Sequence, residues 1–365
     1  VIVYRFASDF LINVAFVNKY LSISSRVIRR YMNDCKKVSV LIPAYNAASY
    51  IASAIESVLA QDYKNIEIIV INDGSTDTTA QILAPYLDRV TVINKKQGGI
   101  GSARNLGHQH ATGKYIAWFD ADDIAYKHRI STQVAVLDAL PSLVLTCGDF
   151  SAFNQYGERF PFYSSNYYSQ LKDADCKQAL FNQLDDLIIN DQSFRIYSDN
   201  VLSELVFGNF IHPPTVMFRS ELLALAGPVN EDISSSVDWL YLTRLAKLGK
   251  FGYIDSELID YRISDTQLSS VSSHPLKPLN VLRVYAEIVQ QNEAAITSNP
   301  KRHSLFLAEL QLSAANSMVE VDKYMSFKFL LKSLRGWWVR FQQLKVLLKI
   351  ILPRWLLLAK RKVLD

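Results

Sequence analysis

The chain contains Tyr115-Ile-Ala-Trp-Phe-Asp-Ala-Asp-Asp123, a short apolar run that ends in a cluster of carboxylates. An apolar run of this length, bounded by turn-forming residues, is typical of a buried strand. Asp120 and Asp122 stand two residues apart after that strand, so their carboxylates can converge on one hard cation such as Mg²⁺ or Mn²⁺. Taken alone, the cluster also fits a solvated acidic turn or the start of a helix, where aspartate is favoured.

Similar apolar runs come before this strand, and each is followed by a helical pattern. They predict strands at 38–43, 66–71, 90–93 and 115–119, helices at 49–60, 78–86 and 102–111, and a flexible glycine-rich loop at 98–101. Strands and helices that alternate in this way indicate a parallel α/β sheet. Ligands bind beyond the carboxyl ends of such strands, and these ends carry Tyr45, Asp73 and the carboxylate cluster.

The pattern becomes less regular after residue 150. The sequence predicts a helix at 127–140, a strand at 143–149, loops and short helices across 151–200, a strand from His212 to Phe218, and helices at 220–226 and 238–248. Beyond Pro278 the pattern is helical throughout. The predicted fold class is therefore α/β, with a mostly parallel central sheet followed by a C-terminal helical region.

The net charge of +4 hides a strong asymmetry along the 365 residues. Residues 1–37 hold seven Lys or Arg against two Asp, and residues 324–365 hold ten against one, which leaves a net charge of −10 for residues 38–323. An acidic body argues against nucleic-acid binding, which needs a basic patch on the fold itself. The three cysteines are odd in number and widely spaced, so they favour neither a disulfide framework nor a zinc site and fit a reducing compartment.

The two basic ends suggest contact with an anionic membrane surface. Lys328 to Lys362 combines tryptophans with many Leu and Ile and regularly placed Lys and Arg. Basic amphipathic helices with tryptophan lie in the membrane interface, and a helix packed onto the body is the alternative. The early run from Phe10 to Val17 is too short to span a bilayer, and we expect no secretion signal.

Three side chains at the predicted sheet edge have both a functional and a structural interpretation. Asp73 can accept a hydrogen bond from a base or ribose, or it can form an Asx-turn. Tyr45 can stack on a base or pack like any other aromatic residue. Arg104 follows a glycine-rich loop near a helix N-terminus and can attract phosphate, or it can be a surface arginine. Because Arg104 occupies the place of the third glycine in the dinucleotide fingerprint, NAD binding is disfavoured.

Four motifs occur in a fixed order within residues 38–265. They are Val38-Ser-Val-Leu-Ile-Pro-Ala-Tyr-Asn46, Ile69-Val-Ile-Asn-Asp-Gly-Ser-Thr-Asp77, Gly101-Ser-Ala-Arg-Asn105 and Tyr115-Ile-Ala-Trp-Phe-Asp-Ala-Asp-Asp123. In this order and spacing they resemble the family-2 glycosyltransferases, which have the nucleotide-sugar-binding fold called GT-A. The resemblance implies an inverting sugar transfer from a nucleotide-diphosphate sugar, with Mn²⁺ or Mg²⁺ as cofactor and a UDP-sugar as the expected donor.

The resemblance also implies roles for residues on the donor side. Ala44 and Tyr45 are expected to line the nucleoside pocket, and Asp73 to hold the base. Arg104 is expected to lie near the donor. The metal motif corresponds to the acidic pair after the fourth strand, with Asp120 as one member and Asp122 as the more direct ligand.

Other matches concern the acceptor side. Asp238, in Val237-Asp-Trp-Leu-Tyr-Leu-Thr-Arg-Leu-Ala246, matches the catalytic base of the family. His212 to Arg219 resembles the strand beside the acceptor, and Tyr261 to Ser264 a closing motif near the diphosphate. Many members have Glu in place of Val237 and His in place of Ser264, and the second difference removes a possible contact to the diphosphate or metal.

We expect four segments along the chain: a basic N-terminal extension (1–37), a GT-A domain (38–275), a helical extension (276–323) and a basic amphipathic tail (324–365). The expected acceptor is a glycan or lipid-linked glycan, and the expected location is the cytoplasmic face of the cell membrane. One alternative is a catalytically silent scaffold in a membrane glycan-assembly complex, against which the retained aspartates argue. Another is a nucleotidyltransferase, which would carry a glycine-rich basic signature after its first strand.

Overall fold

The computed structural model describes residues 36–264, 276–334 and 341–351. The apolar run from Phe10 to Val17, nearly all of the N-terminal extension, and Trp337, Trp338 and Trp355 lie outside these residues. The expectations for them stay predictions, as do the domain boundaries.

A single sheet runs through the described part of the chain. Its strands are β1 (Val38–Ala44), β2 (Ile66–Asp73), β3 (Thr91–Lys95), β4 (Tyr115–Trp118), β5 (Ile124–Ala125), β6 (Leu143–Phe153), β7 (Arg159–Phe160), β8 (Gln183–Ile189), β9 (Gln192–Asp199), β10 (Met217–Arg219) and β11 (Lys250–Arg262). Their order is β3-β2-β1-β4-β10-β6-β11-β9-β8, while β5 pairs with β11 and β7 with β6.

The centre of the sheet is largely parallel, which confirms the predicted fold class. β3, β2, β1 and β4 run parallel to one another, and β6 runs parallel to β11. Antiparallel pairs insert β10 between β4 and β6 and extend the sheet from β11 to β8. Because β1, β2 and β4 are parallel, the polar residues that follow them meet at one edge of the sheet.

Helices cover both faces of the sheet and continue beyond it. They are α1 (Ile51–Leu59), α2 (Thr79–Leu83), α3 (Gly99–His110), α4 (Arg129–Ala139), α5 (Ser164–Tyr167), α6 (Ala174–Leu180), α7 (Leu202–Leu205), α8 (Leu223–Ala226), α9 (Val237–Ala246), α10 (Lys277–Gln291), α11 (Glu293–Thr297), α12 (Pro300–Met318), α13 (Lys323–Ser333) and α14 (Phe341–Ile351). The predicted helical region beyond Pro278 is confirmed for the described residues.

The central strands are mainly apolar because both of their faces are buried. Val40 and Ile42 of β1 enter the core beneath α1 and α4, whereas Leu41 enters the core beneath α3 and α9. A strand covered on both sides reads as a continuous apolar run. Full burial of each such side chain stabilises the fold by about 1.5–3 kcal/mol.

The stretch 151–200, expected to contain loops and short helices, also contains strands, so that prediction was incomplete. β8 and β9 form a hairpin whose two-residue turn, Asn190-Asp191, has φ values of 50° and 62°. Asn and Asp tolerate this left-handed conformation, which two-residue hairpin turns require. The alternation that marks a strand is weak in β8 because it is an edge strand with Leu184 and Ile188 exposed.

Other elements also differ from the predictions. The expected strand at 212–218 is a 3₁₀ turn (Pro213–Thr215) followed by β10, since the two prolines lack the N–H that a sheet ladder needs. The glycine-rich loop is shorter than expected because α3 already begins at Gly99. The long strand β11 was not predicted at all.

Candidate active site

The turn after β1 presents an exposed aromatic ring on a fixed backbone. Ala44 is buried at the end of the strand, whereas Tyr45 is 45% exposed. Asn46 has a φ of 50°, and its side-chain oxygen accepts a hydrogen bond of 2.8 Å from the Thr76 N–H. The Asn46 N–H in turn donates to the hydroxyl of Ser75 at 3.0 Å. The turns after β1 and β2 are therefore tied together, and the Tyr45 ring is available for stacking on a planar ligand.

Asp73, the last residue of β2, fastens that strand to the beginning of α3. Its Oδ1 accepts hydrogen bonds from Lys95 Nζ at 2.5 Å and the Gly98 N–H at 2.9 Å, and its Oδ2 accepts from the Gly99 N–H at 2.7 Å. Gly99 has a φ of 83°, a conformation that favours glycine. A carboxylate offers about four lone-pair directions, so Oδ2 retains capacity for a further donor. The adjacent turn is held by Asn72, whose side-chain oxygen accepts the N–H of Ser75.

Arg104 lies one turn into α3 and is buried, so it is not a surface arginine. It is 3% exposed, with its guanidinium 4.2 Å from the centre of the Trp118 ring. Its Nη2 lies 3.9 Å from Oδ1 of Asp120, and its Nε has no hydrogen-bond partner in the described part of the chain. Leaving a buried donor unpaired costs free energy, so this position suits an anionic ligand.

The three aspartates of the acidic turn after β4 differ in burial. The Asp120 side chain is 37% exposed and Asp122 is half-buried, whereas Asp123 is fully buried. The Asp123 carboxylate accepts the N–H of Arg262 from β11 at 3.1 Å. The backbone carbonyl of Asp122 accepts a hydrogen bond of 2.9 Å from Arg262 Nε. Asp123 therefore anchors the turn in the core, while Asp120 and Asp122 remain accessible.

The charge of Asp238 acts on the acidic turn. Burial raises the pKa of Asp120 to about 6; the charges of Asp122 and Asp238 act in the same direction, and Arg104 opposes them. Burial, with Asp122 and Asp120 adding to it, raises the pKa of Asp123 well above the usual carboxyl range. Asp120 is thus within electrostatic range of two other accessible carboxylates, those of Asp122 and Asp238, and of two buried guanidinium groups, those of Arg104 and Arg129.

Asp238 lies in the first turn of α9, where the helix dipole favours a negative charge. Its Oδ2 accepts a hydrogen bond of 3.3 Å from the amide of Asn209. That amide is itself fixed, because Asn209 Oδ1 accepts the Ile211 N–H at 3.0 Å. Burial lowers the pKa of Lys277, at the start of α10, and the charge of Asp238 opposes this shift. Asp238 is therefore held at a junction of α9, α10 and the segment before β10.

The donor set fits a divalent cation that takes some of its ligands from a substrate. Asp120 and Asp122 offer hard carboxylate oxygens, while Asp123 is turned into the core. Across the described ranges, no three His, Cys, Asp or Glu side chains are grouped so that they alone could hold a metal ion. Mg²⁺ is commonly bound by one or two carboxylates together with substrate phosphates.

Arg129, Arg262 and Asn209 also contribute to the site, although the sequence alone indicated no individual role for them. The fully buried Arg129 donates to the Trp118 carbonyl at 2.8 Å, and burial lowers its pKa to about 9. Arg262 stacks on Tyr50 and supports the acidic turn from β11. Arg262 stood in the quoted motif that ends at Ser264, so the sequence offered a signal for it. Asn209 offered none, because only the fold brings it to Asp238.

The fold is of the GT-A type. A mannosyltransferase from Pyrobaculum calidifontis, solved in complex with GDP-Man and Mn²⁺, superposes with a TM-score of 0.53. The two chains are 16% identical, and the match covers 86% of this chain and 78% of the mannosyltransferase. At this identity the likeness shows the fold alone.

Sequence comparison gives the family. Residues 39–206 match the model of glycosyl transferase family 2. An uncharacterized glycosyltransferase of Rickettsia typhi is 31% identical over 251 residues, which cover 67% of this chain and 70% of that relative. The chain therefore belongs to glycosyltransferase family 2. An uncharacterized glycosyltransferase of Rickettsia prowazekii is 46% identical over 113 residues, which span 30% of this chain and 36% of that relative.

Proposed function

We propose that the chain transfers a glycosyl group, with inversion, from a UDP-sugar to a hydroxyl of a glycan or lipid-linked glycan. The observation that carries this proposal is the position of Asp238. Its carboxylate is fixed by Asn209 at the start of α9 and lies within electrostatic range of Asp120. This position supports a role for Asp238 as the base, within electrostatic range of the residues that suit a diphosphate.

The reaction is a single displacement at the anomeric carbon. Asp238 takes the proton of the acceptor hydroxyl while the hydroxyl oxygen forms a bond to that carbon. The bond between the anomeric carbon and the phosphate oxygen breaks, and the nucleoside diphosphate leaves with the electron pair. Arg104 faces the growing negative charge from within a buried environment, where a fixed charge acts more strongly than in water.

A divalent cation, Mn²⁺ or Mg²⁺, would be held by Asp122 and Asp120 and would act as a Lewis acid on the leaving diphosphate. Arg262 supports this pair by fixing the backbone of Asp122. Asp123 orients the same turn through its bond to the Arg262 N–H.

The donor pocket suits a uracil base on two grounds. The exposed ring of Tyr45, beside the buried Ala44, offers a stacking surface. The Asp73 carboxylate retains an acceptor position that can take the N–H of a pyrimidine ring. We therefore place the nucleoside between these residues and the diphosphate beside Arg104.

A peripheral contact with an anionic membrane would bring the enzyme to a lipid-linked acceptor at the inner face of the cell membrane. On α13, Tyr324, Phe327 and Leu331 are 74%, 40% and 51% exposed and recur at helical spacing. Lys328 and Lys332 flank this apolar stripe. Such a face lies in the interface plane, with its apolar side chains inserted and its lysines near the headgroups.

The following helix has the same character. On α14, Leu344, Leu348 and Ile351 are exposed at spacings of four and three residues, beside Lys345 and Lys349. Residues 324–351 contain no Asp or Glu, so the charge of this surface is complementary to anionic lipid. Each Lys or Arg near such a surface contributes about 1 kcal/mol. Within the described ranges, no helix is both long enough and apolar enough to cross a bilayer.

Vesicle sedimentation tests the membrane contact. We expect the full chain to sediment with vesicles of phosphatidylglycerol and phosphatidylcholine but not with phosphatidylcholine alone. The double substitution Tyr324→Glu and Leu331→Glu should abolish this binding, while Leu225→Glu, at a 69% exposed leucine of α8, should leave it intact. Unchanged sedimentation of the double variant would refute the contact, as would a wild-type chain that ignores both kinds of vesicle.

A panel of UDP-sugars and GDP-sugars with Mn²⁺ tests the catalytic proposal. We expect slow hydrolysis of one UDP-sugar, with water in place of the acceptor, and faster turnover when a matching glycan is added. Asp238→Asn is the control for contaminating activity. A chain that binds UDP but turns over no donor with any acceptor would instead support the silent scaffold.

A further inference from the structure

Asn105, the neighbour of Arg104 on α3, connects this helix to a distant loop. It is 8% exposed. Its amide nitrogen donates to the Val229 carbonyl at 2.9 Å and to Glu231 Oε1 at 2.6 Å. Its amide oxygen accepts the Val229 N–H at 2.8 Å. All of the donor and acceptor atoms of this side chain are thus directed at one short segment more than 120 residues away along the chain.

A second contact, independent of Asn105, brings the same helix and the same loop together. A Cβ atom on Gly101 would lie 2.2 Å from the backbone carbonyl oxygen of Asn230. Only glycine allows such an approach. Gly101 and Asn105 are four residues apart and therefore lie on one face of the helix. This face of α3 therefore packs closely against the loop.

The loop, residues 227–236, leads directly into the helix of the base. Arg244 of α9 donates to the Pro228 carbonyl at 2.7 Å, so the beginning of the loop is also fastened to α9. Ile233 is buried in the middle of the loop. Ser236 precedes α9 with a φ of 63°, and Asp238 follows two residues later. A displacement of the loop would therefore move the first turn of α9.

We propose that Asn105 is a positioning residue for the reaction, which sets the distance between the donor side and Asp238 by binding residues 229–231. The inference rests on the proposed role of Asp238 as base. Consecutive residues of a helix point about 100° apart, so Arg104 can face the diphosphate while Asn105 holds the loop of residues 227–236. α3 thus links the two reacting sides through neighbouring side chains.

Asn105→Asp is the sharpest test, because it keeps the shape of the side chain. The variant loses both N–H donors and places a carboxylate against that of Glu231. We expect kcat for UDP-sugar turnover to fall on the order of 10- to 100-fold, the range for a misplaced catalytic group. The affinity for UDP with Mn²⁺, measured by calorimetry, should stay within about twofold, because the donor side of α3 is unchanged.

A compensating substitution distinguishes positioning from general damage. In Asn105→Asp combined with Glu231→Gln, the new amide can donate to the new carboxylate, and we expect kcat to recover to within about threefold of wild type. Asn182→Asp is the matched control. Asn182 also donates to a carboxylate, that of Asp199, but on the surface near the β8–β9 hairpin, and its variant should keep wild-type kcat.

Hydrogen exchange tests whether Asn105 holds the loop without relying on the catalytic activity of the chain. We expect faster exchange of residues 229–238 in Asn105→Asp and wild-type exchange in the compensated variant. If the wild-type chain turns over no donor, the proposed function fails, and exchange still reports whether Asn105 holds the loop. Parallel losses of kcat, UDP affinity and melting temperature would overturn the positioning role, as would the absence of rescue by Glu231→Gln.

Discussion

The two sides of the candidate site are built from very different lengths of chain. The donor side, with Tyr45, Asp73, Arg104 and the acidic turn, lies within residues 44–123 and uses consecutive strand ends of one parallel sheet. The base side joins Asn209 to Asp238 and depends on strands and helices that are distant in sequence. A site made from one local βα series can be recognised from motifs, whereas a site made by packing needs coordinates.

The largest expected effect comes from substituting the proposed base, Asp238. Asp238→Asn should fold normally and lose on the order of 10²–10⁴-fold in turnover, the range for a lost general base. UDP affinity should remain, because the donor side is built without α9. Turnover assays and calorimetry on the same preparation check this. Near-normal turnover in the variant would remove Asp238 from the mechanism.

The next largest expected effect comes from substituting a proposed metal ligand on the donor side, Asp122. Asp122→Ala should weaken UDP binding in the presence of Mn²⁺ by about 10- to 100-fold, because the cation loses a carboxylate ligand. The expected UDP affinity without Mn²⁺ is the same for variant and wild type. Titrations with and without Mn²⁺ measure both values. A wild-type chain that binds UDP equally well in both conditions would contradict the metal assignment.

The comparison also explains which parts of the fold could be predicted. β1, β2 and β4 are covered on both faces, so their apolar runs identified them, and their parallel order placed Asp73 and Asp120 at one edge. β11 was missed because it carries Asp255, Glu257 and Asp260 among its apolar residues. Its polar residues have partners that only the fold supplies, as when the buried Asp260 pairs with Arg159.

The hairpin and the base side show two different limits of the sequence. The β8–β9 hairpin had a usable signal in Asn190-Asp191, a residue pair suited to a two-residue turn between alternating segments. The contact between Asn209 and Asp238 had no such signal, since the two residues are 29 positions apart with β10 and α8 between them. Motif spacing indicated Asp238 as the proposed base, but not the residue that holds it.

The smallest expected effect concerns both sides equally. His108 on α3 and His212 beside β10 are kept neutral in the fold: burial lowers the pKa of each to about 3, with Arg104 adding to the shift at His108. In the unfolded chain each histidine has a pKa near 6.5 and binds a proton below that pH, whereas in the folded chain it stays neutral. The free energy of unfolding is therefore unaffected by either histidine well above pH 6.5. It decreases as the pH falls below 6.5, by about 1 kcal/mol for each histidine at pH 6.

Urea denaturation at pH 7.5 and pH 6.0 measures this loss, and single variants apportion it between the two sides. His212→Gln and His108→Gln should each remove about half of the decrease, because each leaves one neutral histidine in place. His212 stacks on Phe150 at 4.0 Å, and Nε2 of His108 accepts the indole N–H of Trp118 at 3.1 Å, so both rings are held where a proton is disfavoured. If the free energy of unfolding is equal at the two pH values, or if neither variant changes the difference, the buried neutral state of these rings is refuted. If only one variant changes it, the acid sensitivity of folding belongs to one side of the candidate site, and the two sides differ in stability as well as in construction.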